Sequence, residues 1–241
     1  MAGALSKTGK IGYVGAFPIS EVKRHINAFA LGARAANKNA SVNVRWINAW
    51  FDPNKAKEAT EALLAEGNDV FAFTEDTPTV VQTAAAKGAY SFSHYSPMQK
   101  FAPKNVISGQ LADWSGIYID IVKKVQAGTY TTKNLENVDY WWLLAEKGVY
   151  LGGEFGQPIN PVFADQLKAK KIGSSTAYNL VNLRLKQMTA KKPSFDPFKG
   201  PLKDRNGVVR VPAGKTATVG DLVSMEWAAP GVVGAWPNEP K

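Results

Sequence analysis

The chain predicts an α/β fold with a mostly parallel, doubly wound sheet, and three features of its order support this. First, a short apolar strand, a polar and aromatic loop and an amphipathic helix recur in that sequence through the first 115 residues. Second, the helical stretches open on cap residues and close on glycines. Third, the strands are separated by helices rather than by hairpin turns, which implies crossover connections and parallel pairing. In such sheets ligands bind beyond the carboxyl ends of the strands, so the loops there carry the functional information.

The expected strands are Lys10–Phe17, Val42–Ile47, Asp69–Thr74, Tyr90–Ser93 and Asn105–Gln110. Between the first two, a helix is expected from about Ser20 to Asn37. Pro18 and Ser20 mark its start, Val22, Ile26, Phe29 and Ala33 share one face, and Asn37 suits a left-handed stop. The next helix opens with Asp52 as N-cap and Pro53 at its first position, and closes at Gly67. Thr77, Pro78 and Gly88 repeat that grammar. A further helix is expected from Asp113 to Ala127, with Ile117, Ile121 and Val125 at i+4 spacing and Gly128 as stop. Beyond Thr129 the pattern loosens. Tyr140–Leu144 and Val149–Leu151 read as strands about a turn at Lys147–Gly148, and Pro161–Lys171 and Tyr178–Thr189 as helical. Asn206–Gly207, between Leu202 and the run Val208–Val211, reads as a hairpin. The division expected is an α/β ligand-binding lobe over 1–130 and an appended crossover and carboxy-terminal segment over 131–241.

Composition bounds the function. The 241 residues are 45% hydrophobic and 20% charged, which is ordinary for a globular chain. No run of about 18 apolar residues is present, so no membrane span is expected. MAGALSKTGK has no apolar signal core, so no signal peptide is visible. The absence of cysteine removes disulfides, thiolate metal sites and cysteine nucleophiles. A net charge of +9 raises nucleic acid as a partner. The lysines, however, are scattered over helix faces (Lys23, Lys38, Lys55, Lys57, Lys123, Lys124) and the second half, with no basic stripe interleaved with stacking rings. A solvated surface and no nucleic-acid partner is the reading they favour.

Catalytic and cofactor signatures are thin. Of Gly9, Gly12 and Gly15, two lie on or beside the first strand itself rather than opening a helix, so they suit the close packing of a helix more than a dinucleotide fingerprint. His25 and His94 cannot make a multi-histidine metal site; His25 reads as a surface helix residue, His94 as a rim residue within reach of a ligand. Glu75 and Asp76 are adjacent at a strand end, where neighbouring side chains diverge, and Asp52 is engaged as a cap. No cofactor and no metal is expected. The loops at the carboxyl edge carry Phe17, Trp50, Phe51, Asp52, Glu75, Asp76, Tyr95, Asp113 and Trp114. Rings offer apolar contact to a flat ligand and carboxylates accept hydrogen bonds from its hydroxyls or amines.

The run SKTGKIGYVGAFPISEVKRHINAFALGARAANKNASVNVRWINAWFDPNKAKEA resembles the basic membrane protein family of bacterial solute-binding lipoproteins, the purine-nucleoside-receptor-like group serving ABC-type importers. Asn27–Ala28–Phe29 and Trp50–Phe51–Asp52–Pro53 are its most specific segments. Further matches run through Gly67–Asn68–Asp69–Val70, Asp76–Thr77, Ala102–Pro103, Trp114 with Tyr118, Gly128–Thr129–Tyr130, FKGPLKDRNGVVRVPAG and MEWAAPGVVG. The resemblance implies a periplasmic-binding-protein type I-like lobe, an extracytoplasmic location, an ABC permease partner and a purine base or nucleoside as ligand. Its matched cleft-side positions here are Phe17, Asn27, Trp50, Asp76 and Trp114. Together with Tyr95 these are the expected ligand-binding residues, Trp50 being first choice for stacking on the base.

Two departures from the pattern stand out. Members normally begin with a signal peptide, a lipid-bearing cysteine and an amino-terminal lobe of about 120 residues. This chain starts at the segment that would follow, so the expectation is a fragment, a shortened relative, or a lobe supplied by another chain or by self-association. Also, the loop after the fourth strand reads His94–Tyr95–Ser96–Pro97–Met98 where relatives carry acidic residues of the type Tyr-Asp-Ser-Asp-Met. The lost carboxylate bears on nucleoside selectivity and could abolish binding. Two rival readings accompany the importer: a ligand-sensing domain of the same fold, and an enzyme acting on a nucleoside or sugar through Glu75, Asp76 or Asp113.

Overall fold

The computed structural model describes residues 1–138 and 140–240. After a short helix α1 (Ala2–Leu5), the repeat expected from the sequence appears in order. It runs β1 (Lys10–Gly15), α2 (Ser20–Ala36), β2 (Ser41–Trp46), α3 (Pro53–Ala65), β3 (Val70–Thr74), α4 (Thr79–Ala86), β4 (Tyr90–Tyr95), β5 (Val106–Ala112) and α5 (Ser115–Gln126). The remainder comprises β6 (Val149–Leu151), a helical turn and α6 (Ala164–Ala169), β7 (Lys171–Ile172), β8 (Ser175–Thr176) and α7 (Ala177–Thr189). It ends with β9 (Leu202–Lys203), β10 (Val209–Val211), α8 (Val219–Val223) and β11 (Val232–Val233).

The main sheet has seven strands in the order β11-β2-β1-β3-β4-β5-β6. All pairs are parallel except β5–β6, which is antiparallel. The chain winds outward from β1 in both directions, so the switch in strand order lies beside β1. Alternation along each strand feeds two cores. Ile11, Tyr13, Val42, Val44, Ala72 and Phe92 meet Val22, Ile26, Ala30 and Ala33 of α2 on one face. Val14, Phe71 and Phe73 meet Ala56, Leu63, Val80, Val81 and Ala84 of α3 and α4 on the other. That period-two split is what a sheet covered on both faces requires.

Local grammar explains most boundaries. The Asp52 carboxylate accepts from the Lys55 amide, capping α3, and Gly67 and Gly88 take left-handed φ values of 86° and 73° after α3 and α4. Gly12 and Gly15 do not chiefly admit a helix. A Cβ on Gly15 would lie 2.5 Å from the Trp46 ring, and one on Gly12 2.6 Å from the Phe71 ring and 3.2 Å from Leu63 of α3. The expected hairpin forms between β9 and β10, with Gly207 at φ 88°.

Four local expectations are corrected. Asn37 ends α2 in extended rather than left-handed backbone, and its side-chain oxygen accepts from the Asn39 amide at 3.1 Å in the turn that follows. Helix α4 begins at Thr79 with Pro78 in the cap position, one residue later than the Thr77 cap suggests; Thr77 Oγ1 instead accepts from the Thr79 amide in a local turn. His25 is half-buried against other rings rather than a surface residue. Tyr140–Leu144 is not a strand, although Val149–Leu151 is. The segment lies across α5, with the Tyr140 hydroxyl donating to Asp120 at 2.6 Å and Trp142 against Gly116, and these side-chain contacts replace a ladder partner.

After residue 130 the chain reaches both sheet edges, adding β6 at one and β11 at the other. Before β11 the stretch Met225–Ala229 lies on α2. Asn27 Nδ2 donates to the Trp227 carbonyl at 2.7 Å and Asn27 Oδ1 accepts from the Ala229 amide at 2.8 Å. The buried Lys23 ammonium pairs with Glu226 and donates to the Pro237 carbonyl at 2.6 Å. α2 is thereby held from both sides.

Candidate ligand-binding rim

Parallel strands in matched register place their following loops on one edge. Gly15 lies beside Trp46 and Thr74, and Tyr95 beside Leu111, so β1 to β5 end together. Along that edge, in sheet order, come Trp50, Phe17, Asp76, Tyr95 and Trp114. Phe17 and Asp76 flank the switch in strand order beside β1, the position that favours ligands in open α/β sheets.

Two ring pairs mark the ends of the rim. Phe17 and Trp50 meet at 5.4 Å between centroids, and Tyr95 and Trp114 at 6.3 Å edge to face. Trp50 remains 39% exposed and Trp114 52% exposed, each with surface left for an apolar partner. The Asp76 amide donates to the Trp50 carbonyl at 2.7 Å, tying the loop after β3 to that after β2. Phe51, at 71% exposure, extends the apolar surface past Trp50.

The acids divide by environment. Glu75 points inward and is fully buried, accepting from the Thr77 amide at 2.8 Å and the Thr77 hydroxyl at 3.1 Å. Burial pushes its carboxyl up to about 7, against the pull of those two hydrogen bonds, with the Asp76 charge adding to the rise. Asp76 points outward and is exposed. Partial desolvation and the Glu21 carboxylate hold it above the ordinary aspartate value. Asp113 turns back on Ser115, whose hydroxyl and amide hydrogen bonds hold it below that value.

Behind Tyr95 lies a buried polar and aromatic cluster. The His94 ring stacks on Tyr95 at 4.0 Å and its Nδ1 meets Gln110 Nε2 at 2.8 Å. Burial drives His94 down to about 3, with His25 adding to the shift. His25 falls to about 4, first by burial and then by the Arg24 charge, against the opposing Glu21 carboxylate. Both rings are therefore neutral near pH 7. The Tyr95 hydroxyl donates to Glu21 Oε1 at 2.6 Å; burial, then that bond, raise its pKa.

Of the six residues expected from sequence, Phe17, Trp50, Asp76, Tyr95 and Trp114 share this edge. Asn27 stands apart: it is fully buried, with its amide oxygen and nitrogen both engaged by the carboxy-terminal segment. Glu21, in the first turn of α2, was not singled out from sequence. Its position directly after β1 was the available signal, because the first turn of such a helix sits at the carboxyl edge. Two hollows, of about 630 Å³ beside Trp46, Asn48 and Pro237 and about 650 Å³ between Gly67 and Gly88, contain none of the rim residues. Trp50, Phe51, Asp76 and Trp114 are all exposed, so the rim is open to solvent. Among the described residues no group of three His, Cys, Asp or Glu side chains is placed to hold a metal ion.

The family model of the PnrA-like ABC transporter substrate-binding proteins (Bmp) matches residues 1–190. A purine-binding protein of Brucella abortus is 32% identical over 96% of this chain and 60% of its own length. Haloferax volcanii TsgA13, provisionally named an ABC transporter glucose-binding protein, is 38% identical over 69% of this chain and 41% of its own. The chain thus spans less than two thirds of the length of these relatives. The structure of a transcriptional activator of the comK gene from Bacillus halodurans shares the fold, with a TM-score of 0.60 at 20% identity. It covers 78% of this chain and 59% of that one. Solved ABC transporter solute-binding proteins share the fold as well.

Proposed function

The chain belongs to the PnrA-like ABC transporter substrate-binding proteins, and from that premise we propose that it captures a purine base or nucleoside on the Trp50–Trp114 rim for delivery to an ABC permease. The single observation carrying this reading is the pair of exposed indoles at the two ends of one sheet edge, with an outward carboxylate, Asp76, between them. A flat heterocycle gains apolar contact from an indole while its N–H groups donate to the carboxylate. The Asp76 side chain has no hydrogen-bond or ion-pair partner among the described residues, so its acceptor capacity is open to a ligand.

In this reading residues 1–130 form the ligand-binding lobe and the later segments complete it. The exposed rim is half of a clamp: a facing lobe, or a second copy, closes over the ligand and buries most of its surface. Phe17 supports Trp50, and Trp50 stacks on the base. The role is capture without turnover, outside the cytoplasmic membrane. Among the described residues no helix is long and apolar enough to cross a membrane.

A hexose is the second ligand class, favoured by the name of the haloarchaeal relative. A sugar also stacks an apolar face on indole and donates hydroxyls to carboxylates. Calorimetric titration with adenine, guanosine and glucose separates the two, and binding of glucose alone would overturn the purine assignment. Trp50→Ala is expected to weaken purine affinity by about 1–3 kcal/mol, the scale of base–aromatic stacking. Unchanged affinity with a lowered melting temperature would make Trp50 a packing residue.

A further inference from the structure

Tyr95 is the most constrained ring on the rim. His94 covers one of its faces at 4.0 Å, His25 approaches edge to face at 6.1 Å, and its hydroxyl is held by Glu21. Its backbone sits at φ 54°, in the left-handed region that a bulky side chain rarely occupies. Such a conformation persists only where surrounding contacts over-determine it. A ring with one face covered and its hydroxyl engaged has little left for a ligand. Its remaining edge-to-face neighbour is Trp114, which is 52% exposed.

Trp114 has little other support. It precedes α5, a helix with no fully buried residue, and Tyr95 is the one aromatic side chain it meets among the described residues. Glu21, by contrast, stands on α2, which is clasped between the sheet and the carboxy-terminal segment. We propose that Glu21 is a positioning residue of the rim: by holding the Tyr95 hydroxyl it sets the angle at which Trp114 presents its indole to ligand. The link runs from the firmly packed helix, through one hydrogen bond and one ring contact, to the loosely packed side. Its consequence for affinity rests on the rim being the ligand site, as proposed above; its consequence for the Trp114 ring does not.

The two are tested separately. Protein carrying 5-fluorotryptophan, with the Trp114 resonance assigned through Trp114→Phe, reports ring placement without ligand. Tyr95→Phe and Glu21→Ala are each expected to shift or broaden that resonance, whereas Glu21→Gln, which keeps an acceptor oxygen, leaves it near its original position. In calorimetric titration with guanosine, each of the first two weakens binding about tenfold, the scale of a hydrogen bond to a charged acceptor. The double variant is no weaker than the single ones, and Glu21→Gln loses less than about threefold. A Trp114 resonance unchanged in both Tyr95→Phe and Glu21→Ala overturns the proposal, as do losses that multiply in the double variant. If the unmodified protein binds no purine, the functional reading fails, and the fluorine spectra alone decide whether Glu21 positions Trp114.

Discussion

Helices α2 and α5 begin at the same rim and carry the same kind of apolar spacing, yet they end in opposite environments. α2 buries Val22, Lys23, Ile26, Asn27, Ala30 and Ala33; α5 buries none of its residues, and Tyr118, Ile119, Val122 and Val125 are all more than half exposed. The difference is not in the helices but in what lies on them. α2 rests on the sheet and is covered again by Met225–Ala229. α5 follows β5 near the end of the sheet, where only β6 and the Tyr140–Trp142 strap continue the layer. An amphipathic pattern therefore specifies a helix and its inward face, while burial depends on a partner that the pattern does not name. One side of the rim is firm and the other is held by few buried apolar contacts, the composition expected of regions that open at low free energy.

The largest test of that contrast is Asn27→Ala. It strips two buried backbone groups, the Trp227 carbonyl and the Ala229 amide, of their partners, and a loss of about 3 kcal/mol is expected in urea unfolding. A loss below about 1 kcal/mol would mean the clasp on α2 is not a source of its firmness.

Glu75→Gln sharpens the comparison at the loop after β3. An unfolded glutamate loses its proton near 4.5, whereas buried Glu75 keeps its proton up to about 7. Between those values the folded state binds more protons, so stability falls as pH rises, and the whole deficit is present above 7. The variant is expected to be more stable than the parent by about 3 kcal/mol at pH 8, with no gain at pH 4. His25 and His94 act with the opposite sign. Their depressed values make unfolding take up protons below 6.5, so their contribution is lost as pH falls from there toward 4 for His25 and 3 for His94. Comparing parent and variant at each pH isolates Glu75 from both. An equal effect of Glu75→Gln at pH 4 and pH 8 would show that hydrogen-bond rearrangement, not ionisation, dominates.

The smallest expected effect is at α5. Val122→Ala removes side-chain atoms that are 54% exposed and is expected to change stability by less than about 0.5 kcal/mol. A loss matching that of Asn27→Ala would mean that α5 is covered in solution, most directly by a second copy, and sedimentation of the parent would then show self-association.

Much of the architecture was legible because it is written locally. Asp52–Pro53 and Gly67 delimit α3, alternating apolar residues mark β1 to β5, and parallel strands must share a carboxyl edge. Those local signals suffice to place Phe17, Trp50, Asp76, Tyr95 and Trp114 together. Tyr140–Leu144 read as a strand because aromatic residues favour extended chain; only the structure shows those rings spent on Asp120, Arg24 and Gly116 of neighbouring helices. His25 read as exposed because its own helix does not show what packs against it.

The sequence by itself determined the alternation of strands and helices from β1 to α5 and which loops meet at the rim, since periodicity, caps and crossover connections act over a few residues to a few tens. The tertiary structure alone decided which rim groups remain available. Asn27 is engaged by residues 200 and 202 positions further along, Tyr95 by Glu21 74 positions earlier, while Asp76 and the two indoles stay open. Whether a polar group or a ring is free depends on burial and hydrogen-bond satisfaction, and both are set by segments distant in the chain that meet only once it has folded.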